Sequence, residues 1–422
     1  MPRSTTQEIS LAEFLLSPAG RAALATLHDA DLSDAQTLPV LSQLRARFSP
    51  AEAGALLSQA RLRRRAAAKF PAAASMFFTA EALEMATSAT VATHHAATLD
   101  VHAAAGPLLD LGCGIGGDLI ALARRRPVIA YEIDPVRARF AQANVDATGL
   151  AGRVQIRIAD WAAELRQGLL PPAAAAFADP SRRVDDRRVF SLHRMQPPLP
   201  ELLALQRQIP ALGVKVMPGV ADAELPPHCG VEFISHQSTC KEAILWFGPL
   251  ARYARWASVY REGSWHTLVN DGTPPPVGEL APGQVLFEPD PAVIRAGALA
   301  PLCARVQGHL FDPEIAYIVA PRWRPEPLAQ AFAIQEVHRF GLKRLNERLA
   351  VLSIAQVELL KRGFPQEPES LRPRLRLAAV GRTAAIIFTR RGRERLMLIA
   401  ERVPAAGASP TQRVEQNTGA GP

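Results

Sequence analysis

Over the first 80 residues apolar positions recur at three- and four-residue spacing, as in LAEFLLSPAGRAALATL and AEAGALLSQARLRRRAAAKF. This spacing predicts three or four amphipathic helices joined by short polar or proline-containing links. From Pro107 the pattern changes. Short apolar runs at 107–111, 128–132, 154–158, 174–178 and 213–217 alternate with helix-length segments. Right-handed crossovers between such runs make a parallel sheet. Two further runs, 231–235 and 242–247, are separated only by the polar link HQSTCK, so they are expected to form an antiparallel hairpin at the end of that sheet. The order defines a doubly wound α/β domain, Rossmann-like with an antiparallel edge hairpin, over 81–272, after an N-terminal helical region over 1–80.

The stretch GTPPPVGELAPG (272–283) reads as a linker. Beyond it VLFEP, a helix over 291–306 and AYIVA predict a small α/β segment at 283–331. The pattern over 332–402 predicts an α+β domain: helix 335–349, strand 351–359, helix 367–377, and a hairpin of 384–389 with 395–400 turning at Arg391-Gly392. Residues 403–422 have no apolar period and are expected to be disordered.

Composition narrows the class. With 48% hydrophobic and 21% charged residues among 422, the chain is ordinary globular material, which excludes a coiled coil or a disordered polymer. No run approaches the length of a membrane span, and Glu8 and Glu13 stand where a secretory leader would be basic and then apolar, so a cytoplasmic location is expected. Cys113, Cys229, Cys240 and Cys303 are far apart without a CxxC, and His193 and His236 lack ligand spacing, so neither a disulfide framework nor a metal is expected. The net charge of +8 is carried by 331–402, which holds 15 basic and 7 acidic residues. Arg390, Arg391, Arg393 and Arg395 crowd its hairpin, pointing to a polyanion-binding module. The run Arg63-Arg64-Arg65 with Lys69 reads as a solvated helix face.

The sharpest chemical signal is Leu109-Asp110-Leu111-Gly112-Cys113-Gly114-Ile115-Gly116-Gly117-Asp118, placed between a predicted strand and a helix. Glycines there let the backbone turn tightly and approach a ligand. Gly112, Gly114 and Gly117 also satisfy G-x-G-x-x-G, so the glycines alone leave a dinucleotide reading open. The acids help to decide. Glu132, Asp160 and Asp179 each follow or end a predicted strand and would line one crevice, while Asp134 caps the helix beginning at Pro135. Asp110 beside the turn would repel a pyrophosphate and attract a cationic sulfonium bearing an α-ammonium group. Cys113 reads as a small packing residue, and Trp161 as core.

From Phe77 to Phe247 these motifs resemble the class I S-adenosylmethionine (SAM) methyltransferases. FFTAEALEMATSATVATHHA, CGIGGD and VIAYEIDPVRARFAQANVDATGL are similar to the cap trimethylguanosine synthases and their bacterial relatives. FEPDPAVIRAG and IAQVELLKRGFPQEPESLRPRLRL resemble bacterial methyltransferases with a ferredoxin-like segment and a THUMP-like C-terminal domain. The resemblance implies SAM as cofactor, held by Thr79, Asp110, Gly112, Gly114, Gly116, Glu132 and Asp160. The three glycines would pass the methionine part, Asp110 would lie near its amino end, Glu132 would hold the ribose and Asp160 the adenine edge. Asp179 and Pro180 would stand at the transferable methyl group as the catalytic pair.

THUMP domains in other proteins bind RNA, so the resemblance implies an RNA substrate, structured tRNA or rRNA, and no membrane partner. The chain departs from the amino-group methyltransferases in one place: where they have Pro-Pro-aromatic, it has Asp179-Pro180-Ser181-Arg182-Arg183. Arg182 and Arg183 would hold substrate phosphate, and Arg390, Arg391 and Arg393 would contact RNA at the other end of the chain. The alternatives are a small-molecule or protein methyltransferase with a merely structural basic module, and a non-catalytic SAM- or RNA-binding protein.

Overall fold

The structure, a computed structural model, describes residues 5–181, 183, 184, 187, 188 and 191–404, with the backbone alone for 183, 184, 187 and 188. Arg182, the Arg183 side chain and the tail beyond 404 lie outside the described residues. The chain divides into two compact units, Met1–Val231 with Glu242–Ala254, and Glu232–Lys241 with everything from Arg255. Among the described residues no helix is long and apolar enough to cross a membrane.

The first unit opens with four helices, α1 (Thr6–Leu16), α2 (Pro18–Thr26), α3 (Thr37–Arg45) and α4 (Pro50–Ala66). Their starts are written locally: Thr5 with Glu8 and Ser49 with Glu52 form reciprocal capping boxes, and Pro18 and Pro50 stand at the first helical position. The basic run at the end of α4 is only in part the solvated face expected: Arg64 and Arg65 are exposed, but three of the cations also bond to other segments. Arg63 Nε donates to the Met76 carbonyl at 2.9 Å, Arg64 donates to the carbonyls of His28 and Ala30, and Lys69 Nζ to those of Leu83, Glu84 and Ala86. Long cationic side chains bind helix-end carbonyls that have no intrahelical partner, so these residues tie segments together.

After α5 (Ala80–Met85) and α6 (Ala89–His102) come β1 (Leu108–Leu111), α7 (Gly117–Arg125), β2 (Val128–Glu132), α8 (Pro135–Ala147), β3 (Val154–Ile158), α9 (Trp161–Gln167) and β4 (Ala175–Ala178). Two short strands, β5 (Arg183–Val184) and β6 (Arg187–Arg188), precede α10 (Leu199–Gln208), β7 (Leu212–Val216), β8 (Gly230–His236) and β9 (Thr239–Trp246). Within this unit the strands run β9-β7-β4-β1-β2-β3; β7, β4, β1, β2 and β3 are parallel, and β9 is antiparallel to β7. The strand order reverses between β1 and β4. In such a sheet the crossovers on the two sides of the switch lie on opposite faces, which opens a crevice at the carboxyl ends of those two strands.

In the second unit β10 (Arg255–Arg261) and β11 (Ser264–Val269) form a hairpin that the sequence pattern does not assign. Its two-residue loop, Glu262-Gly263, has φ of 52° and 79°. Both values are positive, as a tight hairpin loop matched to strand twist requires, but Glu-Gly is a weaker written signal than Asn-Gly. The remaining elements are β12 (Val285–Pro289), α11 (Pro291–Ala296), α12 (Leu299–Val306), β13 (His309–Leu310), β14 (Ile318–Ala320), β15 (Ala329–Arg339), α13 (Leu342–Val351), β16 (Ile354–Lys361), β17 (Arg382–Arg391) and β18 (Glu394–Arg402). One seven-stranded sheet, β13-β14-β12-β15-β18-β17-β16, joins the segments expected at 283–331 and 332–402. Its core mixes them: Leu286, Tyr317 and Val319 pack with Ile387 and Leu398.

Three expected helices change. The helix over 291–306 is broken at Gly297, which takes φ +70° and caps α11. Residues 335–339 of the expected helix 335–349 are strand, because β15 is paired along its length with β12 and then β18, and ladder pairing outweighs the modest helix preference of Gln335 and Glu336. The helix expected over 367–377 is two 3₁₀ turns, Pro368–Ser370 and Arg372–Arg374, since Pro368 and Pro373 withhold the backbone N–H a longer helix needs.

Candidate active site

A cavity of about 480 Å³ opens in the first unit at the switch between β1 and β4. Asp110, Gly112, Gly114, Glu132, Asp160, Asp179 and Pro180 all line it. Two expected residues do not. Thr79 caps α5, accepting from Ala82 N at 3.1 Å, and Gly116 caps α7, where an added Cβ would meet Ala141 of α8.

Each wall has a local cause. Gly112 has φ +92°, and a Cβ there would lie 2.9 Å from the Asp179 carbonyl oxygen, so only glycine lets the ends of β1 and β4 approach this closely. Asp134 caps α8 by accepting from Arg137 N, as expected, and Asp160 caps α9 by accepting from Ala162 N at 3.0 Å. Glu132 accepts from Gly114 N at 3.0 Å with one oxygen; the other accepts from Asp134 N at 2.8 Å and from Arg137 at 3.0 Å. The loop is also fastened from behind: Asn144, fully buried on α8, donates to the carbonyls of Ile115 and Phe77 and accepts from Phe77 N.

Asp110 is 1% exposed, and its Oδ2 has no hydrogen-bond partner. Burial pushes its carboxyl well above the ordinary carboxylate range, and the neighbouring Asp118 and Asp179 push it further, against Lys215. A buried acceptor left open toward a cavity is a place for a cationic donor. The donor set therefore fits SAM: an acid for the ammonium group, an anchored carboxylate at the end of β2 lining the cavity for a ribose hydroxyl, and Asp160 beside the indole of Trp161 for an adenine.

The floor of the cavity holds a chain of buried charges that the sequence pattern does not single out. Lys215 of β7 is 3% exposed, and its Nζ donates to Asp179 Oδ2 at 2.7 Å and to Thr87 Oγ1 at 3.0 Å. Thr87 donates to Asp118 Oδ2 at 2.7 Å, and Asp118 Oδ1 meets His95 Nδ1 at 2.8 Å. His95 Nε2 lies 2.7 Å from Glu242 Oε1 of β9. Burial alone would lower the His95 pKa, but Glu242 and Asp118 on either side raise it to about 10. Burial likewise opposes charge on Lys215, and Asp179, Glu242 and Asp118 reverse that and drive its pKa up. Signs thus alternate from Asp179 to Glu242. The one hint written in the chain is a lone lysine inside the apolar run GVKVM.

The far wall pairs Asp179-Pro180-Ser181 with Gln196-Pro197-Pro198. Ser181 N donates to Gln196 O at 2.8 Å and Gln196 N to Ser181 O at 2.9 Å, and both segments line the cavity. The structure thus sets a Pro-Pro pair beside Asp179-Pro180 from a segment 17 residues further along the chain. Cys113, buried and with its thiol pushed up first by that burial, packs as expected.

A doubly wound sheet with an acid-lined glycine turn at its switch point defines a Rossmann-like methyltransferase. Comparison with known proteins bears this out. Residues 105–180 match the profile of the RNA cap guanine-N2 methyltransferases, 329–402 match a THUMP domain-like profile, and 9–66 match a domain of unknown function. A Mycobacterium tuberculosis protein (strain H37Rv), described as an uncharacterized S-adenosylmethionine-dependent methyltransferase, is 35% identical over 367 residues, covering 83% of this chain and 96% of its own length. A Parasynechococcus marenigrum protein described as an uncharacterized RNA methyltransferase is 35% identical over 95 residues, 22% of this chain and 20% of its own. A crystal structure assigned as a methyltransferase from Porphyromonas gingivalis W83 superposes with a TM-score of 0.69 at 16% identity, covering 96% of this chain and all of that one, so the whole fold is shared. The chain belongs to the S-adenosylmethionine-dependent methyltransferases, and SAM is its cofactor.

Proposed function

We propose that this methyltransferase modifies RNA, structured tRNA or rRNA. The observation that carries the reading is the joint presence, in one chain, of a match to RNA cap guanine-N2 methyltransferases ending at Pro180 and a THUMP domain-like match over the segment that bears the whole net charge. When bound, SAM supplies an electrophilic methyl group. Asp110, Gly112, Gly114, Glu132 and Asp160 hold it, and Asp179 with Pro180 presents the acceptor in line with it. Alignment and exclusion of water in the cavity supply much of the acceleration. Arg182 and Arg183 receive the phosphate next to the acceptor. Arg390, Arg391 and Arg393 dock RNA at a distance; Arg391 and Arg393 are exposed, while Arg390 is already paired with Glu314.

The test is transfer of labelled methyl from SAM to RNA isolated from cells lacking the gene, followed by nucleoside mass spectrometry. Incorporation at one nucleoside supports the reading. Labelling of protein or small molecules with none in RNA replaces it by one of the other methyltransferase readings.

A further inference from the structure

A methyl acceptor bound at Asp179 meets a carboxylate whose state is set from beneath. Lys215 enters from β7, a strand buried along its whole length, so its ammonium is almost wholly removed from water. Its two hydrogen bonds, to Asp179 and to Thr87, leave it oriented toward the cavity floor. Thr87 gives its own proton to Asp118, which leaves the hydroxyl oxygen to accept from Lys215 and fixes the polarity of the chain. Asp118 is held ionised despite burial by His95, Lys215 and Thr87, and His95 is held charged between Asp118 and Glu242. A buried ammonium flanked in this way cannot lose its proton at working pH, so it serves as a fixed positive charge.

We propose that Lys215 is a positioning residue for methyl transfer, holding Asp179 ionised and aimed so that it accepts the proton of a nitrogen acceptor. This rests on the assignment of Asp179 to the acceptor side. As the acceptor nitrogen bonds the methyl group and the sulfonium carbon–sulfur bond breaks with its electron pair left on sulfur, the N–H proton passes to the Asp179 carboxylate and from there to water. A protonated Asp179 could neither take that proton nor stabilise the positive nitrogen. Among the described residues, Lys215 of β7 favours the charged form of Asp179 and Asp110 of β1 opposes it; Asp118 and Glu242 act on it through Lys215. The acceptor class this selects is an amine or ring nitrogen carrying hydrogen.

The experiment compares wild type, Lys215→Met and Lys215→Arg, first by carbon-13 NMR of the Asp179 side-chain carboxyl in SAM-loaded protein, assigned with Asp179→Asn. Asp179 should titrate at least one pH unit higher in Lys215→Met than in wild type, and be largely restored in Lys215→Arg. On labelled RNA from gene-deleted cells, Lys215→Met should lower kcat by about a hundredfold, leave the SAM dissociation constant within a few fold, and move the acidic limb of the rate profile upward. Unchanged Asp179 titration in folded Lys215→Met overturns the inference, as does a variant with full kcat. Absence of wild-type transfer to RNA overturns the RNA reading alone, because the carboxyl titration needs no acceptor.

Discussion

Glu132 accepts a hydrogen bond from the backbone N–H of Gly114 at 3.0 Å, so the acid that ends β2 and the glycine loop that follows β1 form one unit. Neither side of this contact is near the other in sequence, and each needs the other to keep its place. The carboxylate fixes the turn, and the turn fixes a carboxylate oxygen toward the cavity.

Glu132→Ala should therefore weaken SAM binding in two ways, by removing an acceptor and by releasing the loop. Loss of hydrogen bonds to a charged group costs about 1.5 to 3 kcal/mol, a ten- to hundredfold rise in dissociation constant by calorimetry. Asp160→Ala should weaken SAM similarly and also cost about 1 kcal/mol of stability, because Asp160 caps α9. Wild-type affinity in both variants would sink the cofactor assignment.

Asp110 makes the unliganded protein pH-sensitive. Its carboxyl is raised in the folded state, so the folded form binds more protons than the unfolded one. Its contribution favours folding below the unfolded carboxylate pKa and is lost as pH rises toward the folded value. Asp110→Asn should thus gain stability relative to wild type between pH 5 and 8 in thermal melts without SAM, yet bind SAM more weakly. A constant difference across that range would contradict the buried, protonated state.

His95 carries the same sign in a higher pH window. Its pKa is raised from 6.5 to about 10, so its stabilisation is complete below pH 6.5 and disappears as pH climbs through 10. His95→Leu leaves Asp118 and Glu242 buried without their cation and should cost about 3 to 5 kcal/mol near pH 6.5. Urea unfolding should show the gap to wild type narrowing toward pH 10.

Asp179→Ala should abolish methyl transfer while leaving SAM affinity within a few fold, as expected of a residue that acts on the acceptor. Full turnover by this variant on the modified RNA would remove Asp179 from the reaction.

Deleting 329–402 would strip β12 of its partner β15, so the RNA-docking role is better tested by point changes. Arg391→Gln with Arg393→Gln should lower RNA affinity and flatten the log-log salt dependence by about 0.7 for each single-strand phosphate that is no longer neutralised. A salt slope equal to that of wild type would assign the basic hairpin another purpose.

Local signals carry the first unit: strands 128–132 and 154–158, the cap at Asp134 and the glycine turn are written in residues next to one another, and the structure has them as read. Where long-range pairing competes with local preference, the sequence misleads. Residues 335–339 have a helix-compatible composition and become strand because they continue a strand begun against β12 at 329–333 and pair with β18. The candidate site divides in the same way. Its strand-end acids follow from topology, since parallel strands must deliver their carboxyl ends to one crevice. The Lys215, Thr87, Asp118, His95 and Glu242 chain comes from five separate segments and becomes visible only once β7 and β9 are set against β4 and the glycine loop. Burial then gives these side chains their chemistry, because a charge removed from water must find its opposite within a few ångströms, and which residues can do so is decided by packing.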